Sequence, residues 1–267
     1  MNNSSIGVFD SGLGGLSVLS RLIKLLPDEN YIYFGDTLNL PYGNKTKEQL
    51  VEISSSIFDF FTSKQVKAVV MACNTTSATV YDILKSKYNF EIYPVVQSVA
   101  KCIAEKNYAG IGVFATVATV NSHAYKNEIQ KYNKNTVVFE TACPLWVSIV
   151  EKSLQNDKKS IEDIKLQLDI MMKNNVDKII LGCTHYPYLL NILSQYAPKD
   201  IFIDPAEYFA EFIKNDLTNK KLLNNGEISA PEFYVSSNHE QFENSSSLFY
   251  KVKYAKEISL NPNCHKI

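Results

Sequence analysis

Two cysteines in this chain end apolar runs in the same way. VVMACNTTSA (69–78) stops at Cys73 and continues into Asn74, Thr75 and Thr76, and IILGCTHYPYL (179–189) stops at Cys183 and continues into Thr184 and His185. A thiol has an ordinary pKa of about 8.5, within tuning range of neutrality, so it can both give and accept a proton. Two such groups on opposite sides of one carbon are what stereochemical inversion requires. One takes a proton from one face, the other delivers a proton to the opposite face, and their protonation states exchange with each turnover. Asn74, Thr75, Thr184 and Ser11 offer hydrogen bonds to a carboxylate or an ammonium group. His185 can shuttle the Cys183 proton or stabilise its charge, and Asp10 can serve Cys73 similarly. Taken singly, these residues have plainer readings. A cysteine at the end of a buried strand is more often a small packing group, and Cys102, Cys143 and Cys264 are read that way. Asp10 and His185 alone read as capping or structural groups, and Thr75 and Thr76 as helix caps. The pairing of two Cys-Thr sites in a repeated frame favours the chemical reading.

The elements that must position these groups alternate between short apolar runs and longer helical patterns. Strands are predicted at 6–9, 31–35, 67–72, 91–96, 110–115, 136–140, 178–182 and 200–204. Between them, GLSVLSRLIKLL offers Leu16, Leu19, Leu22, Ile23 and Leu26, and KLQLDIMMKNN offers Leu166, Ile170 and Met171, as helix faces. Such alternation predicts parallel sheets flanked by helices. IGVFDSGLGGLSVL (6–19) is echoed by IGVFATVATVNSHA (111–124), and KAVVMACNTT (67–76) by DKIILGCTHY (177–186). Two echoes in one order at nearly one offset point to a duplicated unit. The fold class expected is α/β, with two pseudo-symmetric lobes, each a mostly parallel sheet flanked by helices, and the active site between them. The first lobe is expected to comprise 1–96 plus 206–267 and the second 97–205, with the crossover near Val96 to Ser98. EYFAEFIKNDL and PEFYVSS would return to complete the first lobe. Ligands bind outside the carboxyl ends of parallel strands, which is where Asp10-Ser11-Gly12, Cys73-Asn74-Thr75, Thr116 to Thr119 and Cys183-Thr184-His185 fall. The DSGLGG turn is neither GxGxxG nor a P-loop, and its glycines are predicted to allow a tight turn and close backbone approach to a ligand.

Composition narrows the classes further. The chain has 267 residues and a net charge of −1, so no global field favours nucleic acid or an anionic membrane. Arg21 is the sole arginine, so a carboxylate site must rely on backbone N–H groups, helix N-termini, hydroxyls and amides. Five widely spaced cysteines without a CxxC pair argue against a zinc knuckle or a disulfide framework. No signal peptide is visible in MNNSSIGVFDSG, and no apolar run of about 18 residues predicts a membrane span. A cytoplasmic protein with reduced thiols is expected.

At these residues the sequence resembles the glutamate racemases, cofactor-independent members of the aspartate/glutamate racemase superfamily. The resemblance runs from about Ile6 to Pro205. It rests on GVFDSGLGGLSV (7–18), YFGDTLNLPYG (33–43), ACNTTSA (72–78), ATVATVNSHAY (115–125), ACPLWVSIVE (142–151) and LGCTHYPYL (181–189). Trp146 and Ser148 stand where the family often has other residues. The resemblance implies interconversion of L- and D-glutamate without pyridoxal phosphate or metal, supplying D-glutamate for peptidoglycan. It implies Cys73 acting on the D-isomer and Cys183 on the L-isomer, with Asp10 as partner of the first and Glu151 and His185 as partners of the second. Substrate contacts implied are Asp10, Ser11, Tyr42, Gly43, Asn74, Thr75, Thr119, Thr184 and His185. A homodimer is expected. The nearest alternative is an aspartate racemase, against which the His185-Tyr186-Pro187 run after GCT argues. A nucleotide-binding module lacks its P-loop lysine here, and a one-cysteine decarboxylase or isomerase would not need both thiols.

Overall fold

The structure, a computed structural model, describes residues 3–260; Cys264 lies outside them. Among these residues ten strands form two wholly parallel sheets. The first sheet contains β1 (Ile6–Asp10), β2 (Tyr31–Gly35), β3 (Ala68–Met71), β4 (Glu91–Pro94), β9 (Glu232–Val235) and β10 (Lys256–Glu257), ordered β10-β9-β2-β1-β3-β4. The second contains β5 (Gly110–Ala115), β6 (Val137–Ala142), β7 (Lys178–Gly182) and β8 (Phe202–Ile203), ordered β6-β5-β7-β8. The segment β2-β1-β3-β4 of one sheet thus has the same order as the whole of the other. Register agrees as well: Ile6 pairs with Tyr31 and Ala68, and Ile111 with Val138 and Lys178.

The period of two along β1–β3 divides their side chains between two faces. Ile6, Val8, Tyr31, Tyr33, Ala68 and Val70 join a core that continues through Ile111, Val113, Phe114 and Trp146 of the second sheet's layers. Phe9, Ile32, Phe34, Val69 and Met71 face a separate core with Leu50, Ile57, Phe58 and Phe61 of helix Lys47–Ser63. Helices Leu16–Leu25, Val95–Ala104 and Pro205–Asn219 contribute Leu19, Leu22, Val99, Ile103, Phe209 and Ile213 to the shared core.

Three local readings need correction. EIYPVV is a strand only to Pro94, because Val95 opens helix Val95–Ala104 and Ser77 Oγ accepts the Val96 N–H at 3.0 Å. A partner for that first-turn donor outweighs the strand preference of paired valines. DIFID keeps only Phe202 and Ile203 as strand, since Asp204 instead caps helix Pro205–Asn219 by accepting from the Ala206 N–H at 3.0 Å. Helix Lys158–Met172 buries Ile164, Leu168 and Met171, whereas Leu166 and Ile170 are 55% and 41% exposed. The helix is as expected, but its inward stripe lies at a different phase.

Candidate active site

Each cysteine sits just past the carboxyl end of an equivalent strand. Cys73 follows β3 and its backbone carbonyl opens helix Asn74–Leu84, accepting from the Ser77 N–H at 3.0 Å and from Thr76 Oγ1 at 3.1 Å. Cys183 follows β7 directly. Cys183 leads through Thr184 and His185 into a 3₁₀ turn over Tyr186–Leu189, with Pro187 in its first turn, and then the short helix Leu190–Leu193. Both thiols line one cavity of about 310 Å³, together with Ser11, Tyr42, Gly43, Asn74, Thr75, Thr116, Cys143, Glu151, Thr184 and His185. Residues from both sheets' strand ends therefore converge on one space.

Around Cys183 the groups form a chain. Its Sγ lies 3.9 Å from His185 Nδ1, and His185 Nε2 lies 3.1 Å from Glu151 Oε1 at the end of helix Trp146–Glu151. Burial opposes charge on His185, but its hydrogen bonds to Cys183 and Glu151 outweigh that and push the imidazole up to about 10. At neutral pH both ring nitrogens then carry protons. Around Cys73 the balance runs the other way. Burial, then the charge of Asp10, push its thiol up to about 12, while hydrogen bonds from Thr76 only partly oppose them. Asp10 itself is fully buried. Burial raises its pKa, against the opposing influence of His185 and of the Gly12 and Gly15 amides, with Glu151 adding to the rise. Its Oδ2 accepts from the Gly12 N–H at 3.1 Å.

The remaining polar groups are held in place. Asn74 Oδ1 accepts from Tyr125 O–H at 2.7 Å. Thr75 Oγ1 meets Thr116 Oγ1 at 3.0 Å, which in turn meets Thr119 Oγ1 at 3.0 Å, a hydroxyl chain across the two sheets. Thr119 is fully buried and stands behind Thr116, whose side is the one lining the cavity. Tyr42 donates to Asp36. Cys143, read from sequence as packing, is buried yet also lines the cavity, and its carbonyl accepts from Tyr186 O–H at 2.8 Å. Trp146 packs between Phe114 and Tyr186, with ring centroids 4.9 and 5.0 Å away. Cys102 lies apart, half-buried on helix Val95–Ala104.

The glycine turn connects β1 tightly to helix Leu16–Leu25 and packs against groups of the site. A Cβ on Gly14 would fall 2.2 Å from Thr184 Oγ1 and 2.8 Å from His185, and one on Gly15 would fall 2.4 Å from Asp10 Cβ. The close approach is thus to the opposite sheet's Thr184 and His185 and to Asp10, and no glycine has positive φ among the described residues. Sequence reasoning singled out Thr116 only as part of a segment. It gave no sign of Tyr125 or Asp36, whose roles arise from contacts distant in the chain.

The class of protein is thus a two-sheet α/β molecule whose equivalent strand ends each present a thiol to one shared cavity. The family model for Asp/Glu/Hydantoin racemase matches residues 6–213. The chain is 39% identical over 259 residues to the glutamate racemase of Carboxydothermus hydrogenoformans, covering 96% of each. Its structure is similar to that of Francisella tularensis glutamate racemase in complex with D-glutamate, with a TM-score of 0.91 and 32% identity over 98% of this chain and 99% of the other. It also matches glutamate racemase from Thermus thermophilus in complex with beta-chloro-D-alanine, with a TM-score of 0.88 and 32% identity over 98% and 99%. The chain belongs to the Asp/Glu/hydantoin racemase family and is an isomerase.

Proposed function

We propose that this isomerase interconverts L- and D-glutamate by direct proton transfer between Cys73, Cys183 and the substrate's α-carbon. The observation that carries the reading is the convergence of the two thiols, from equivalent strands of matching sheets, on one cavity. In the L-to-D direction Cys183 thiolate takes the α-proton. The Cα–H electron pair remains on the carbon and the adjoining carboxylate, and Cys73 delivers its thiol proton to the opposite face. The reverse direction exchanges the roles. His185, bridged to Glu151, supplies positive charge beside Cys183, and Asp10 acts on Cys73 from the other side. Ser11, Asn74, Thr75 and Thr184, with the Tyr42–Gly43 turn and Thr116, hold the substrate's carboxylates and ammonium. Thr119 acts through Thr116. Neither pyridoxal phosphate nor a metal takes part in this scheme.

The same proposal includes D-glutamate supply to peptidoglycan, a cytoplasmic location and a homodimeric assembly, all following from the resemblance to glutamate racemases. The lobe division, 1–96 with 206–267 against 97–205, is also proposed. It is supported by β9 and β10 extending the first sheet while the strands between 97 and 205 pair only with one another.

Incubating dialysed protein in D2O with L-glutamate, D-glutamate or aspartate tests the reaction. Racemisation with α-deuterium incorporation is expected for both glutamate isomers, much more slowly for aspartate, without absorbance from a bound pyridoxal group. Cys73→Ser and Cys183→Ser should each lose racemisation by about 10²- to 10⁴-fold, since each removes one whole proton-transfer step. Cys73→Ser should still exchange the α-proton of L-glutamate. Faster turnover of aspartate would defeat the substrate assignment, and near-normal racemisation by either variant would defeat the two-thiol scheme.

A further inference from the structure

We propose that Ser236, which lies beyond the segment matched by the family model, positions the Tyr42–Gly43 wall of the cavity through the buried carboxylate of Asp36. The inference concerns the site described above, and its effect on glutamate turnover rests on the proposed activity. Asp36 directly follows β2, is 2% exposed, and donates its backbone N–H to the Asp10 carbonyl at 3.0 Å. It is thus fastened to the strand end that carries Asp10, the buried carboxylate whose charge acts on Cys73. Its carboxylate accepts from Tyr42 O–H at 2.5 Å, from Asn39 Nδ2 at 3.1 and 2.9 Å, and from Ser236 Oγ at 2.6 Å. All three donors are neutral side chains, so the buried charge depends on this small set of hydrogen bonds.

Ser236 does more than donate. Its Oγ accepts the Leu38 N–H at 2.9 Å, and the neighbouring Ser237 N–H donates to Thr37 Oγ1 at 3.1 Å. The turn Thr37–Asn39 is therefore sewn to the end of β9 by side chains some two hundred residues away in sequence. Tyr42 and Gly43 follow in the next turn, Tyr42–Asn44. There a Cβ on Gly43 would fall 3.4 Å from Thr116 Cβ, so the wall already lies against the opposite sheet's Thr116. Thr116 Oγ1 meets Thr75 Oγ1. Moving Tyr42 therefore changes the gap in which the substrate's carboxylates are held, while the two thiols, carried on β3 and β7, are left in place.

Binding should consequently suffer more than chemistry. In the full-length protein, Ser236→Ala and Asp36→Asn are expected to raise KM for glutamate about 5- to 20-fold with kcat within about twofold. Amide hydrogen exchange over residues 37–44 should accelerate in the same variants. Ser236→Thr, which keeps the hydroxyl, should restore both. Thr136→Val is the control: it removes a buried hydroxyl bond to the Tyr108 carbonyl just before β6, at the far end of the second sheet. It should leave KM and the exchange of 37–44 at their wild-type values. A wild-type KM in Ser236→Ala, unchanged exchange over 37–44, or an equal rise in KM for Thr136→Val would overturn the proposal. If the wild-type protein does not turn over glutamate, the functional reading falls, and the exchange measurement still decides whether Ser236 holds the wall.

Discussion

At neutral pH burial and the Asp10 carboxylate keep Cys73 as a thiol, while hydrogen bonds to Cys183 and Glu151 keep His185 charged. In the proposed scheme Cys73 then gives the proton, and the positive imidazole beside Cys183 serves the L-to-D direction. The polarity has a pH signature. His185 is protonated below its raised value of about 10, so an L-to-D rate that needs its charge should fall as pH rises through that region. Glu151 is one of the partners that raises it. Glu151→Gln should lower the histidine's pKa and move the alkaline limb of kcat/KM for L-glutamate to lower pH, while leaving the acid limb in place. A limb that does not move, measured across a pH series with L-glutamate, would mean that the cation is not required. At this scale the sequence was informative where chemistry and local pattern coincide. Cys73, Cys183 and His185 stand out because a reactive side chain interrupts an apolar run. Glu151 has no such local mark and entered only through its block's resemblance to a family. Asp36, Tyr125 and Ser236 could not be read, because a buried carboxylate or hydroxyl is defined by partners that the chain brings in from elsewhere.

The elements that carry these residues are specified mostly by apolar runs, and errors arise where a second requirement competes. Pro94 and Ser77 turn a strand-like valine pair into a helix start. The two-residue β10 is too short to leave a periodic signal. In helix Lys158–Met172 there are more apolar residues than one stripe can hold, so spacing alone did not choose the buried phase. The glycine turn between β1 and helix Leu16–Leu25 is the most demanding element. Its composition announced close approach, but only the fold shows that Gly14 abuts Thr184 and His185. Gly14→Ala would place a methyl within 2.2 Å of Thr184 Oγ1. His185 is tied to Glu151 and cannot give way without breaking that bond. The expected outcome is a fall in kcat/KM of about tenfold or more, with an overpacking cost of about 1–3 kcal/mol in thermal unfolding. Wild-type kinetics in that variant would show that the turn can yield without disturbing the pair.

Across the whole molecule, matching strand orders support the duplication suggested by the sequence echoes, and one apolar core joins the layers of both sheets. A buried ion pair fastens the returning chain to that frame. Lys67 Nζ lies 2.5 Å from Glu29 Oε2, with side chains 5% and 2% exposed, and Glu29 Oε1 accepts the Asn224 N–H at 2.7 Å. Lys67 enters β3, Glu29 precedes β2, and Asn224 follows helix Pro205–Asn219. Lys67→Met would strand the Glu29 carboxylate in the interior at a cost of about 3–5 kcal/mol. Adding Glu29→Gln removes the charge and keeps an acceptor for Asn224, so the double variant should be more stable than Lys67→Met alone. Trp146, the sole tryptophan, packs on the second sheet and provides a probe remote from this pair. If the shared core makes both sheets one cooperative unit, the urea midpoint reported by Trp146 fluorescence should fall in Lys67→Met together with the midpoint from far-UV circular dichroism. A Trp146 midpoint that stays put while the circular dichroism transition splits would mean that the sheets unfold separately and that the cavity lies between two weakly coupled bodies.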